Sequence, residues 1–286
     1  MHYRILSGHL PTQQEALLVD RLAAADFHAY ALSSRSDGGL DLACYPASTQ
    51  QAAHLRALLV DVGVQGLHAE EVAEQSLCAP GQTGAPFPLC QGVWVQPGDD
   101  ATGIPAGATV LGIPPGPAFG DGLHPTTAMA AAMLPADCSG LRVLDCGCGS
   151  GILGILAALR GAVRVDCCDC DPDAVRTSAA LARAHGCRQI QCFASDLLQA
   201  VPPAAGYDLL VANIYAELLQ ELLCDPALPG LLRTGAGCIL SGISHQKIGA
   251  LRTALDAGGW RIRQEQQAAW WHAVQAERVE PAQPPS

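Results

Sequence analysis

The feature that most constrains this chain is a short apolar run, Leu141-Arg142-Val143-Leu144, that ends in Asp145-Cys146-Gly147-Cys148-Gly149-Ser150-Gly151 and passes straight into a helical pattern at Ile152. Strand, glycine-rich turn and helix in immediate succession form the opening unit of a parallel α/β sheet. Glycine lets the backbone turn tightly there and lets a ligand come close to it. The chain downstream keeps the alternation. Strand patterns at 141–146, 163–168, 189–194, 207–212 and 236–241 are separated by helical patterns at 152–160, 172–185, 215–224 and 245–257. Two short strands follow, Trp260 to Glu265 and Ala269 to Val274. Five parallel strands closing in an antiparallel pair predict a Rossmann-like sheet of seven strands.

Composition sets the outer bounds. The 286 residues suffice for one large domain or two modest ones. With 49% hydrophobic residues the chain does not read as disordered. Its apolar stretches, such as Ile152 to Leu159, are cut by Arg160 and Arg164 well short of the ~20 residues a membrane span needs. The start, Met1-His2-Tyr3-Arg4, lacks the apolar core of a secretory signal, so a soluble, cytoplasmic chain with its 13 cysteines reduced is expected. The net charge is −11, and Lys247 is the only lysine. A nucleic-acid grip needs clustered basic residues, so no direct nucleic-acid binding is expected. An acidic surface instead suits a basic partner.

Three regions and a tail separate by pattern. Residues 1–75 read as β-α-β-β-α-β, the layout of a ferredoxin-like α+β domain. In it Leu17, Leu18, Leu22 and Ala25 fall at helical spacing, Thr12 and Glu15 stand as in a capping box, Asp37-Gly38-Gly39 signals a turn, and Ser48 can cap a second helix. Residues 76–118 are rich in Pro and Gly and form a structured connector with short strands at Val93-Trp94-Val95 and Thr109-Val110-Leu111. Residues 119–275 carry the Rossmann-like pattern, and 276–286 form a disordered tail.

The details of the glycine loop select its ligand. A dinucleotide fingerprint needs a small residue where Ile152 stands, and a P-loop needs a Gly-Lys pair that the chain lacks. S-adenosylmethionine remains: it has an amino-acid end and a ribose but no phosphate. Asp145, at the strand end, can receive its ammonium directly or through water. Asp169 lies about 20 residues past Gly147, the separation at which an acidic side chain meets ribose hydroxyls. Asp171-Pro172 reads as the cap and first turn of the next helix. Asp196 can accept from an adenine amine or, equally, cap a helix at Leu197-Leu198.

Phe119-Gly120-Asp121-Gly122-Leu123-His124-Pro125-Thr126-Thr127, the glycine loop, Val211-Ala212-Asn213-Ile214-Tyr215-Ala216 and Leu240-Ser241-Gly242-Ile243 together resemble the methyltransferases of large-subunit ribosomal protein L-eleven, class I enzymes that methylate amino groups on a protein. The resemblance covers about 119–275. It implies cofactor contacts at Thr127, Gly147, Asp169 and Asn213, with Gly149 in the same loop. Asn213 ends the fourth strand, where open α/β sheets bind ligands, and its side-chain oxygen can accept hydrogens from a substrate amine, which makes it the candidate catalytic residue. No residue stands out as a strong base. Two features depart from the family: Asp121 and Leu123 stand where it usually has Thr and a small or hydroxyl residue, and Ser76 to Leu89 lacks its usual Trp-containing acidic stretch.

Other motifs are expected to carry less. The spacing of Cys146, Cys148, Cys167, Cys168 and Cys170 invites zinc, but loop and strand positions suit buried thiols better, and no metal is expected. His124 reads as ordering the loop before a helix, His245 as an ordinary histidine, and Trp270-Trp271 as sheet packing. The resulting expectation is an S-adenosylmethionine-dependent N-methyltransferase acting on a Lys side chain or N-terminus of ribosomal protein L-eleven or a similar protein. Its rivals are the same cofactor used on another protein or a small molecule, and a non-catalytic S-adenosylmethionine-binding paralogue.

Overall fold

The computed structural model describes residues 2–25, 27, 30–34, 38–44, 46, 49–73, 85–114, 120–203, 206–268 and 271–279. Phe119, the Ser48 cap, most of the 76–89 stretch, Trp270 and the tail beyond Val279 lie outside them. Contacts divide the chain into two units, Met1–Gln82 with Pro115–Pro117, and Thr83–Pro114 with Ala118–Ser286. Among the described residues no helix is long and apolar enough to cross a membrane.

The smaller unit follows the expected order: β1 (His2–Pro11), α1 (Glu15–Ala24), β2 (Tyr30–Ser34), β3 (Gly39–Cys44), α2 (Thr49–Val62) and β4 (Gln65–Ala73). Its sheet runs β2-β3-β1-β4, all neighbours antiparallel, which is the split β-α-β plan. Leu6, Leu42, Leu18, Leu22, Leu55 and Leu59 fill its core. Two local expectations fail. Leu17 is 46% exposed, and Val19 takes its place on the buried face. The Thr12 capping box does not form, because Thr12 to Gln14 wind into a 3₁₀ turn and the Thr12 hydroxyl donates to Gly38 O at 2.5 Å.

The larger unit begins earlier than the sequence suggested. β5 (Phe87–Cys90), β6 (Val93–Gln96) and β7 (Thr109–Gly112) form a three-stranded sheet with Leu89, Val93, Val95 and Leu111 buried. β5 packs against α3 (Pro125–Met133) and β7 against α4 (Ile152–Leu159). The Pro/Gly-rich stretch from Thr83 therefore belongs to this unit, since its alternating apolar residues need those helices as a second layer.

The main sheet has seven strands in the order β10-β9-β8-β11-β12-β14-β13. β8 (Arg142–Cys146), β9 (Arg164–Asp169), β10 (Ile190–Ala194), β11 (Tyr207–Asn213) and β12 (Leu232–Ser244) are parallel. α4, α5 (Pro172–Ala184), α6 (Ala216–Cys224) and the single turn α7 (Leu228–Leu231) connect them. β8, β9 and β11 are almost wholly buried, as parallel strands covered on both faces must be. After α8 (Ile248–Ala257), β13 (Trp260–Ala268) and β14 (Trp271–Arg278) form the hairpin, and β14 inserts antiparallel between β12 and β13. β14 reaches Arg278, beyond the expected start of a disordered tail at 276, because Ala276 is buried and Glu277 pairs with Arg261 across the hairpin.

β8 is the switch point. The chain leaves it toward β9 and β10 on one side and returns to β11 on the other, which opens a crevice at the carboxyl ends of β8 and β11. A polar pin joins β9 to β11 across β8. Tyr207 is wholly buried and donates to Asp166 Oδ2 at 2.5 Å, while Arg164 Nε donates to both oxygens of the same carboxylate at 3.0 and 3.1 Å. Burial and the Asp166 carboxylate push the Tyr207 phenol up, which keeps it a donor. Replacing Tyr207 by Phe strips one donor from a buried carboxylate, so urea unfolding of Tyr207→Phe is expected to show a loss of about 1–3 kcal/mol. An unchanged midpoint would refute the pin.

Candidate active site

The glycine loop is braced from the side of β9. Gly147 and Cys148 donate their N–H groups to Cys168 O at 2.8 and 3.0 Å, and Gly149 donates to Asp169 Oδ2 at 2.9 Å. Gly147, Gly149 and Gly151 take φ of 73°, 53° and 80°, the left-handed region that a side chain would strain. A Cβ at Gly147 would collide with Ile214, just past β11. Gly147, Cys148 and Gly149 therefore already bond to protein, and so do two donors at the start of α4: Ile152 donates to Ser150 Oγ and Gly154 to Asp145 Oδ2. An anion-binding turn keeps such donors for phosphate. This loop does not, in line with a ligand that has none.

Asp145 and Asp169 play different parts. Asp145 is 2% exposed, and its Oδ2 takes the Gly154 N–H at 2.9 Å, where the sequence suggested a ligand ammonium. Burial pushes its carboxyl up to about 7 against the pull of that bond, and the Asp169 charge adds to the rise. Asp169 is half-buried at the tip of β9, with Oδ1 accepting from Asp171 N at 3.0 Å. Asp171 caps α5 through Asp173 N at 2.8 Å with Pro172 in the first turn, as its sequence indicated. Asp196 is exposed beyond β10 and accepts from Gln199 Nε2 at 3.1 Å, in a turn and not at a helix start. Next to it Leu197 has φ 43°, and Ser195 Oγ donates to its carbonyl at 2.7 Å.

The opposite wall comes from α3. His124 caps it, its Nδ1 accepting from Thr126 N at 3.3 Å. Thr127 is wholly buried, and its Oγ1 accepts from Asn213 Nδ2 at 3.2 Å, so two side chains 86 positions apart in sequence meet at the crevice. Asn213 Oδ1 is shielded from solvent and has no hydrogen-bond partner among the described residues. A buried, unsatisfied amide oxygen beside a crevice is poised to accept from something that enters it. Ser241, paired with Asn213 in the β11–β12 register, donates its hydroxyl to Thr126 O at 2.9 Å. Ser150 Oγ donates to Gly120 O at 2.6 Å and holds the segment before α3 against the loop. The sequence reading assigned no role to Ser241 or Ser150. Ser241 lay inside the quoted Leu240–Ile243 block, but nothing local in a strand end announces a partner on a distant helix.

Asp121 is exposed, and its carboxylate accepts from Leu123 N at 3.0 Å in a local turn, while Leu123 itself is 51% exposed. Cys146, Cys148, Cys167 and Cys168 are buried among strand and loop atoms, and Cys170 is exposed. Hydrogen bonding to Cys146 and burial push the Cys168 thiol up, as suits packing thiols.

Sheet order, glycine loop and the acid at the second strand tip define an S-adenosylmethionine-dependent methyltransferase of the Rossmann-like class. The family model described as "Ribosomal protein L11 methyltransferase (PrmA)" matches residues 40–279. The chain is 40% identical over 171 residues to the Ribosomal protein L11 methyltransferase of Synechococcus sp. (strain RCC307), covering 58% of this chain and 56% of that relative. It is 37% identical over 220 residues to that of Pseudomonas aeruginosa (strain LESB58), covering 76% and 73%. The crystal structure of ribosomal protein L11 methylase from Lactobacillus delbrueckii subsp. bulgaricus superposes with a TM-score of 0.61 at 29% identity, over 68% of this chain and 99% of that one. The chain belongs to the ribosomal protein L11 methyltransferase family.

The raised Asp145 carboxyl makes a pH prediction. An ordinary Asp titrates near 4, whereas this one titrates near 7 when folded. Its contribution to stability is therefore full below about 4 and is lost as pH rises through about 7. Asp145→Asn keeps an acceptor for Gly154 but cannot ionise. Its melting temperature relative to the parent is expected to be higher at pH 8 than at pH 5, and a pH-independent difference would contradict the assignment.

Proposed function

We propose that this chain methylates amino groups, a Lys side chain or N-terminus, of ribosomal protein L11 or a closely similar protein, in the cytoplasm. The observation that carries this reading is the Asn213 oxygen left without a partner while Thr127 holds the other end of the same amide. Asn213 Oδ1 accepts an N–H of the entering amine and so aims the nitrogen lone pair into the crevice. Thr127 fixes the amide, and Ser241 fixes the helix that carries Thr127. Positioning of this kind lowers the barrier by holding the reacting atoms in line.

The residues present fit the cofactor. Asp169 would hold its ribose hydroxyls, Asp196 would accept from the adenine amine, and Gly147 and Gly149 leave the backbone room for close approach. Asp145 works from beneath, holding α4 in place. Bound there, S-adenosylmethionine supplies an activated methyl group. A net charge of −11 with one lysine favours a basic protein over a nucleic-acid backbone as the partner.

Labelled-methyl transfer to purified ribosomal protein L11, read by mass spectrometry, tests the reading. Asn213→Ala is expected to lower transfer about 100-fold, the scale seen when one positioned polar group is removed from an active site, while calorimetry shows little change in S-adenosylmethionine affinity. Asp169→Ala is expected to weaken that affinity roughly tenfold or more, because a charge-assisted hydrogen bond is lost. Full turnover by Asn213→Ala, or no label on ribosomal protein L11, would overturn it.

A further inference from the structure

A cluster of thiols lies under the glycine loop. Cys167 pairs with Asp145 in the β8–β9 register and with Cys192 in the β9–β10 register, so the three stand in one row on one face of the sheet. The Cys167 and Cys192 thiols are hydrogen-bonded to one another. Cys148 and Ser178 complete the group: the Cys148 thiol bonds to Cys167 and to the Ser178 hydroxyl, and Ser178 Oγ lies 3.4 Å from Cys192 Sγ. The loop and the start of α4 rest on these atoms. A Cβ at Gly154 would overlap Cys167 Sγ, and one at Gly151 would overlap the Ser178 hydroxyl. Cys148 and Cys167 are buried, whereas Cys192 is half-buried and is the member of the cluster that meets solvent.

The proton between the paired thiols is held unequally. Hydrogen bonds to Cys148 and Cys192, together with burial, push the Cys167 thiol up. The bond from Cys167 pulls the Cys192 thiol down to about 7 against its burial, and Ser178 and the Arg183 charge on α5 add to the fall. Asp145 faces the pair from β8, and the Cys192 charge adds to the rise of its carboxyl. Cys167 therefore keeps its proton and donates it, while a large share of Cys192 is thiolate at neutral pH, the form that reacts. A second pair of thiols, Cys146 and Cys168, stands in the same kind of register between β8 and β9. Both of its members are buried, so it lacks the solvent contact that an oxidant needs.

Neighbouring strands run about 4.8 Å apart, inside the roughly 4.4–6.8 Å of Cα separation that a disulfide spans. We propose that Cys192 and Cys167 form a peroxide-sensitive disulfide site, and that closing it loosens the seat of the S-adenosylmethionine loop. The Cys192 thiolate attacks hydrogen peroxide: an S–O bond forms, the O–O bond breaks, and hydroxide leaves and takes up the proton that Cys192 had released. The Cys167 sulfur then attacks the Cys192 sulfenic acid. An S–S bond forms, the S–O bond breaks, and the hydroxyl departs with the Cys167 proton as water. Two thiols thus lose two electrons and one peroxide becomes two waters. The new bond draws the sulfurs to about 2.05 Å, which pulls Cys167 Sγ toward β10 and away from Gly154. Two residues further along β9, Asp169 holds Gly149, so the displacement reaches the loop.

The test treats the reduced full chain with hydrogen peroxide at neutral pH, alkylates the remaining thiols and maps the peptides by mass spectrometry. Calorimetry measures S-adenosylmethionine affinity before and after. A Cys167–Cys192 bridge is expected, with Cys146 and Cys168 still alkylated. Affinity is expected to fall about tenfold, the effect of weakening one hydrogen bond, and to return on treatment with dithiothreitol. Reduced Cys192→Ser is expected to bind the cofactor as the parent does and to keep that affinity through peroxide treatment. Oxidation confined to the exposed Cys170 and Cys224, a bridge between other thiols, or an equal loss of affinity in Cys192→Ser overturns the site. A Cys167–Cys192 bridge that leaves affinity unchanged overturns its coupling to the loop. These readouts use no methyl acceptor, so they stand apart from the amine-methylation reading.

Discussion

The site depends first on three hydrogen bonds from backbone N–H groups that tie the loop after β8 to the end of β9. Gly147 and Cys148 spend their N–H groups on the Cys168 carbonyl and Gly149 on the Asp169 carboxylate. These bonds set the height of the loop above the sheet, and the left-handed glycines make that height accessible. They also decide what the loop is for. A turn whose donors are satisfied by protein in this way offers little to a phosphate. One acid sits on the β9 side and one amide on the β11 side, each anchored by an element outside its own strand.

That second anchoring comes from α3, which precedes the sheet in sequence yet forms one wall of the crevice. Its N-terminal turn is held by Asn213 through Thr127 and by Ser241 through Thr126 O. Arg160, just past α4, donates to Ala131 O, Leu134 O and Pro135 O and so closes its other end. With both ends fixed, the helix holds the Asn213 amide in one orientation, and precise placement of a single oxygen becomes credible on a scaffold of ordinary α/β parts.

Much of this was legible in the sequence because the signals are local. Short apolar-rich runs at β8, β9 and β11, the Asp171-Pro172 cap and the glycine loop each announce themselves within a few residues. The acid near the second strand tip follows from spacing alone. What escaped depends on contacts between distant positions. Thr12 and Glu15 look like a capping box until Gly38 O captures the hydroxyl. The stretch from Thr83 reads as a connector because its strands are short and its glycines many, and only packing on α3 and α4 makes it part of the larger unit. His245 looks ordinary in sequence, since its partners lie on β14 and, through His272, on β13. Asp145 shows the same limit at finer scale: the strand end is plain, but burial and the Gly154 N–H set what its carboxyl does.

The hairpin order has a consequence for how the sheet is completed. β14 is made after β13 yet lies inside it, with β12 on its other flank. Until β14 arrives, the apolar side of β12, including Ile239, Leu240 and Ile243, presents an unpaired edge, and β13 has no strand of its own to join. Such an edge is a template for another chain. A nascent molecule halted between the two strands would therefore be sticky along β12, while in the finished sheet that side ends in the charged, partly paired β13 with Arg261, Arg263 and Glu265. Synthesis order, and not only the final contacts, determines when this sheet becomes safe in solution.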